Sequence, residues 1–457
     1  MPAYSIAIAQ THVHPLIALL ALVAAAMICL LPRKHLLAPL LAATLLIPLD
    51  QIIVVAPLHW QIMRIVLLLA WVRVLATRPA GTRIFSGGLN PIDKAIILWT
   101  LSSAAAQILR WHSAAILVNQ AGVIYTIFAT YFLMRFLIRD HVDVEFAVRL
   151  LVGIAVLVAA VMVVEHSTGR NPYAYFGGAR EAVRTELLER GQRFRAMGPF
   201  NHPILAGVFG ATLAPLALGL WWRKRRAAST VGFVAATIIV LASVSSTPVL
   251  AYAAGLFGLW LWPFRRSLRP LRWGLVIALL GLHLLMKAPV WALIHRFNVI
   301  GGSSGYHRYV LVDEFIRHWG EWWLIGSKDY SKWGFLTADV ANQYVNVGET
   351  TGLLPFILYI SIFVYAFKCL GRALNGGAVD RHQQLFIWAL GCALFTHVIA
   401  FFGITYFDQM VVAWYAFLAM ISAAAVAPFR EAAGVCEADK SEKGRAPFPN
   451  SASPFFV

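Results

Sequence analysis

Three stretches of the chain carry side chains able to do chemistry. The first is Arg193-Phe194-Arg195-Ala196-Met197-Gly198-Pro199-Phe200-Asn201-His202-Pro203, two arginines and a Gly-Pro turn directly ahead of an apolar run. A guanidinium is a planar fork of donors that fits phosphate, so Arg193 and Arg195 suit an anion site; they equally suit a basic anchor on lipid headgroups. The second stretch opens at Gly301 and predicts a helix from Tyr306 to about Leu324, with Ser303 or Ser304 as N-cap. Val312, Phe315, Ile316, Trp319 and Trp323 form one stripe of it, and Asp313, Glu314, Arg317, His318 and Glu321 the other, as in a helix lying in a membrane interface. Arg308 falls on the apolar stripe, in the first turn, where open backbone N–H groups favour anions. A cation there must pair with a carboxylate, reach lipid phosphate or hold a ligand. The third stretch, Ala341 to Leu354, places Asn342, Asn346 and Glu349 at i, i+4 and i+7, one helical face that suits a hydroxyl-rich ligand or forms a polar collar at a helix start. Tryptophans between Trp319 and Trp333 can stack on sugar rings, but also make an ordinary interfacial belt. The sequence holds no metal-ligand spacing, P-loop or GxGxxG in a usable context, so no metal and no cofactor is expected.

The elements that must position these residues are membrane helices. The 457 residues are 60% hydrophobic and 13% charged, too apolar for a soluble protein, and mean hydropathy is +0.71. Disorder and coiled coil are excluded on the same ground. The net charge of +17 reads as cation placed along membrane edges, with no nucleic acid as partner. Apolar runs predict spans near 15–31, 36–57, 60–77, 93–109, 114–138, 145–165, 201–222, 229–244, 248–263, 273–290, 352–370, 384–403 and 409–428, with Ser243 to Pro248 as a tight turn. The expected fold is therefore all-α and polytopic, about 12–13 transmembrane helices with two extracytoplasmic helical loops. Arg33, Lys34, Arg135, Arg139, the Arg223-Lys224-Arg225-Arg226 run, Arg265 and Arg266 gather at one set of span ends, which the positive-inside rule makes cytoplasmic. The expectation is one membrane domain, 1–428, with outer loops at about 166–200 and 291–351, and a disordered cytoplasmic tail, 429–457. The first loop predicts a short surface helix, Ala179 to Arg190. Asp50 and Arg64 sit inside adjacent predicted spans, where an isolated charge costs roughly 2.5–3.5 kcal/mol, so an ion pair across the hairpin is expected.

In order and topology these stretches resemble the O-antigen ligase / O-antigen polymerase family of bacterial membrane glycosyltransferases. Arg195 to Pro203 looks like that family's Arg-x-x-Gly-Pro-Phe-x-His-Pro approach to a span. Tyr306-His307-Arg308-Tyr309 through Gly326 looks like its loop arginine, and Ala341-Asn342 through Leu354 like its return to the membrane. Ser245-Ser246 matches a family Ser-Arg turn without the arginine. The resemblance implies a metal-independent glycosyltransferase in the bacterial inner membrane, with its C-terminus cytoplasmic and its active site extracytoplasmic. Its donor is a polyprenyl-diphosphate-linked glycan, its acceptor a glycan or lipid-linked sugar hydroxyl, and membrane lipid and envelope polysaccharide assembly proteins are partners. It makes Arg195 and Arg308 the diphosphate clamp. Ligases of the group carry His where this chain has Ala341; that departure leans toward a polymerase, with Glu349, at the outer edge of a span, favoured over His307 or His202 to stand in as base.

Two other classes remain open. A lipid-linked-glycan flippase or other transporter needs a polar path across the whole bilayer. A scaffold for an envelope assembly tolerates changes at both arginines.

Overall fold

A computed structural model describes residues 11–55, 58–77, 84–85, 87–177, 189–190, 193–296, 304–334, 336–376 and 380–424. Its longer helices are α1 (Pro15–Leu30), α2 (Leu37–Leu46), α3 (Ile62–Thr77), α4 (Pro91–Trp111), α5 (Ala114–Leu137), α6 (His141–Thr168), α7 (Pro203–Trp222), α8 (Arg226–Ala242), α9 (Ser246–Trp260), α10 (Leu268–Leu285), α11 (Ser304–Arg317), α12 (Gln343–Thr351), α13 (Leu353–Asn375), α14 (Arg381–Ala400) and α15 (Gln409–Ala424). Six of them, α4, α5, α6, α7, α13 and α14, are long and apolar enough to cross a membrane; α1, α8, α10 and α15 are shorter apolar helices. The class is an all-α polytopic membrane protein.

Local signals set the helix ends. Asn90 and Asp93 form a reciprocal capping box at the start of α4, and Pro91 occupies the first turn. Asp140 caps α6, which stops at Gly169 with φ 70°. Every predicted span contains a helix, but the second is mostly something else. The helix stops at Leu46 because Ile47 precedes Pro48 and is pushed extended. The β-branched run Ile52–Val55 then forms strand β1, antiparallel to β2 (Leu58–Gln61). This hairpin separates Asp50 from Arg64 and overturns the expected ion pair: Arg64 makes none with Asp50 among the described residues, and its guanidinium lies against Gly122 of α5.

The centre of the bundle is α7, buried on nearly every face. Gly207 and Gly210 allow its neighbours to close in: a Cβ at Gly207 would lie 2.5 Å from Ser243 Oγ, and one at Gly210 2.8 Å from the Ala236 carbonyl. Ion pairs between different elements collect at one end, with Asp93 to Arg135, Asp143 to Arg33, and Glu145 to Arg223 and Arg225. At the opposite end lie the start of α7, the α8–α9 turn, the end of α6 and the start of α15. Large apolar side chains such as Leu30 and Leu285 point outward, as expected of a surface in hydrocarbon.

Of the two expected loops, residues 178–188, which include most of the predicted surface helix, lie outside the described residues. Its last two, Glu189–Arg190, are a strand (β3) paired with Arg193–Phe194 (β4) rather than helix. The second predicted helix breaks at His318 into α11 and a short turn, Trp319–Trp322. Its faces are also redistributed: Asp313 is buried and bonded by the Trp291 indole, whereas Ile316, Trp319 and Trp323 are exposed. The tail beyond Ala424 lies outside the described residues.

Candidate functional site

The Arg195–Pro203 segment is fixed through its backbone. Glu165, in the last turn of α6, accepts from the Met197 and Gly198 amides at 3.0 and 2.8 Å. Ala196 N–H donates to the Ala242 carbonyl, Asn171 donates to the Gly198 carbonyl, and Gln409 donates to the Pro199 carbonyl. Gly198 sits at φ 57°, a conformation that favours glycine. With the backbone held this way, the Arg195 guanidinium donates to Ser245 Oγ at 2.8 Å.

Arg308 reaches the same turn from another part of the chain. Its side chain, 7% exposed, donates to Thr247 Oγ1 at 2.7 Å and to the Gly403 carbonyl at 3.5 Å. Glycine is needed there: a Cβ at Gly403 would fall 2.4 Å from Thr247 Oγ1. Two arginines remote in sequence are thus brought to the turn between α8 and α9, on hydroxyls two residues apart. Asn201 donates to Asp408 Oδ2 at 2.6 Å, so a carboxylate joins the rim through the 401–408 segment that also supplies Gly403. Phe402, next to Gly403, lines an apolar groove of about 530 Å³ together with Val312, Phe315, Phe356 and Phe363.

The other sequence candidates separate from this turn. Asn342 is the N-cap of α12, its Oδ1 accepting from the Tyr344 and Val345 amides, and Asn346 is half-buried in that helix, so the expected ligand wall is not an open face. His202 caps α7, its Nδ1 accepting from the Ile204 amide. His307 donates from Nε2 to the Leu336 carbonyl, so that nitrogen carries a proton and is no base. The Arg193 side chain lies outside the described residues. The start of α12 is tied to the 401–406 segment by Gln343, and Glu349 lies six residues further, about 9 Å along the helix.

Glu349, 1% exposed, faces Arg110 instead. Arg110 donates to the Ser327 carbonyl at 2.9 Å, to the Glu349 carbonyl at 3.3 Å and to Gln107 Oε1 at 2.6 Å. Burial pushes the Glu349 carboxyl up to about 8, with Arg110 pulling the other way. The Tyr330 hydroxyl is raised by burial and then by Glu349. Among the described residues no group of three or more His, Cys, Asp or Glu is gathered as metal ligands would be.

The sequence reading left out Asp408, Thr247, Gly403 and Arg110. Asp408 alone carried a signal: it is the one acid between residues 381 and 430, set between apolar runs.

Fold and site together define a multi-pass helical membrane protein with a paired-arginine site at one end of its bundle. No family model and no curated protein matches the chain.

Proposed function

We propose that this chain is a glycosyltransferase of the bacterial inner membrane, one that polymerises or transfers glycan repeat units from a polyprenyl diphosphate carrier, with the polymerase reading preferred. The observation that carries this is the meeting of Arg195 and Arg308 on the Ser245–Thr247 turn. Cationic forks converging at a helix-bundle end suit a diphosphate, and the adjoining apolar groove suits its lipid chain. The basic ends of the bundle then face the cytoplasm and the arginine turn faces outward, with the apolar helices crossing between them.

In this reading the acceptor hydroxyl attacks the anomeric carbon. The bond from that carbon to the diphosphate oxygen breaks, and its electron pair leaves with the diphosphate. Arg195 and Arg308 hold the charge that develops on that leaving group. The hydroxyl proton needs a base, and Asp408, on the segment that also contacts Arg308, is better placed for it than Glu349. Binding both substrates from the lipid phase contributes proximity.

A flippase would need polar groups across the bilayer. On α4 the stripe Arg110, Gln107, Ser103, Thr100 is broken by buried Ile96 before Asp93 is reached, which disfavours that reading. The test is complementation of a deletion strain by Arg195→Ala and Arg308→Ala variants, with surface glycan as readout. Short single-repeat chains on the carrier support a polymerase, full-length chains stranded on the carrier support a ligase, and wild-type glycan from both variants overturns the site.

A further inference from the structure

One face of α4 bears Thr100, Ser103, Gln107 and Arg110, spaced three, four and three residues apart. It packs on α13, where Trp99 meets Tyr359 with ring centroids 5.1 Å apart, and on α12 through Arg110. The Trp99 indole N–H, the Thr100 and Ser103 hydroxyls and Glu349 Oε1 are buried here and meet no hydrogen-bonding partner among the described residues. Helical hydroxyls elsewhere, such as Thr44, Thr126, Thr237 and Thr396, donate back to the carbonyl four residues earlier. Thr100 and Ser103 do not. Thr130 and Ser229 share that feature, but neither lies on a stripe that ends at a buried carboxyl. Buried polar atoms of this kind are satisfied by water when they line one continuous path.

We propose that the seam between α4, α12 and α13 is a hydrated proton-binding site, with Glu349 as its protonatable group and Ser103 and Thr100 carrying the water inward. The charged and titratable groups facing Glu349 are Arg110 from α4 and Tyr330 from the segment after Gly326; α11 presents Phe315, and the short turn after it Trp322, to the neighbouring Gly348. Arg110 holds the mouth through three bonds, two of them to carbonyls of the segments that close it. Gly326, at φ 85°, lets them meet, because a Cβ there would lie 2.7 Å from both the Arg110 guanidinium and the Glu349 carbonyl oxygen. The site stands whether or not the glycan chemistry does, since the hydrogen bonds of Arg110 and those of the arginine turn share no partner among the described residues.

Infrared spectroscopy of the full chain in lipid vesicles tests it. The carbonyl stretch of a protonated carboxyl is expected at neutral pH, shifted in D₂O, fading as pH rises through about 8, and lost in Glu349→Gln. Radiolytic hydroxyl labelling, which marks side chains beside bound water, is expected to modify Trp99, and Ser103→Leu to abolish that mark. Absence of the acid band at neutral pH, a band that survives Glu349→Gln or ignores D₂O, or an unlabelled Trp99 in the folded wild-type protein would each overturn the proposal. Ser103→Ala, which removes the hydroxyl without filling the seam, serves if the leucine variant fails to fold.

Discussion

Arg308 and Arg110 are both buried cations at the same end of the bundle, yet they are held differently. Arg308 is bonded to a threonine hydroxyl and, at long range, a carbonyl, beside a second arginine on the same turn. Arg110 is engaged by two backbone carbonyls and a glutamine, and it joins α4, the 326–327 segment and α12 into one block. A threonine hydroxyl, such as the one Arg308 meets, can turn to another partner when a phosphate arrives. Arg110 is structural, because it donates to the buried Ser327 carbonyl and, at longer range, to the Glu349 carbonyl, which the Ser327 amide also meets at 2.7 Å. The proposed function therefore assigns Arg308 to the diphosphate, while Arg110 ties three segments together.

The largest expected effect separates them. Arg308→Ala should cut glycan transfer by about 10²–10³-fold while thermal stability holds, as when one charge-stabilising donor is removed from an active site. Arg308→Lys should recover little of it, since lysine has no fork. Arg110→Ala should do the reverse, costing about 1–3 kcal/mol of stability by leaving the Ser327 carbonyl without its Arg110 donor. Transfer rates and thermal unfolding of the same samples decide the matter, and equal loss of activity in folded Arg110→Ala and Arg308→Ala would break the comparison. Next in size is Gly403→Ala, whose added methyl displaces Thr247 and with it the anchor of Arg308; a loss of activity greater than that of Thr247→Val is expected. Thr247→Val removes one hydrogen bond and should cost about tenfold in rate.

A separate effect, on stability alone, concerns Glu349. Its folded pKa, about 8, lies above the 4.5 of an unfolded glutamate. Its contribution to stability is thus fully present below about 4.5 and is lost as pH rises toward 8. The melting temperature should fall across that window, and Glu349→Gln should flatten the slope. An unchanged slope would move the titration to other groups.

Periodicity made much of this molecule legible. Apolar runs marked a helix in each of the thirteen predicted spans, because hydrocarbon leaves the backbone little else to form. The run at 36–57 misled, because hydropathy does not distinguish a short helix from the β-branched Ile52–Val55 strand that follows Pro48. At the site, Arg308 was visible as a cation on an apolar stripe and Arg195 as part of a Gly-Pro turn. Their shared anchor was not, because Ser245 and Thr247 look like any polar turn until tertiary packing brings two distant segments onto it. Glu349 was picked out by its spacing with Asn342 and Asn346, but spacing on one helix says nothing of Arg110 on another. His202, His307 and Asn342 show the same limit: each is engaged with backbone groups that no motif displays.

In the proposed function Arg195 and Arg308 together grip a diphosphate. Binding of polyprenyl diphosphate and polyprenyl monophosphate to the purified protein in lipid nanodiscs tests it most directly. Wild-type protein should hold the diphosphate more tightly, and Arg195→Ala and Arg308→Ala should each erase that preference. If both folded variants still prefer the diphosphate as strongly as wild type, the two arginines do not form the clamp.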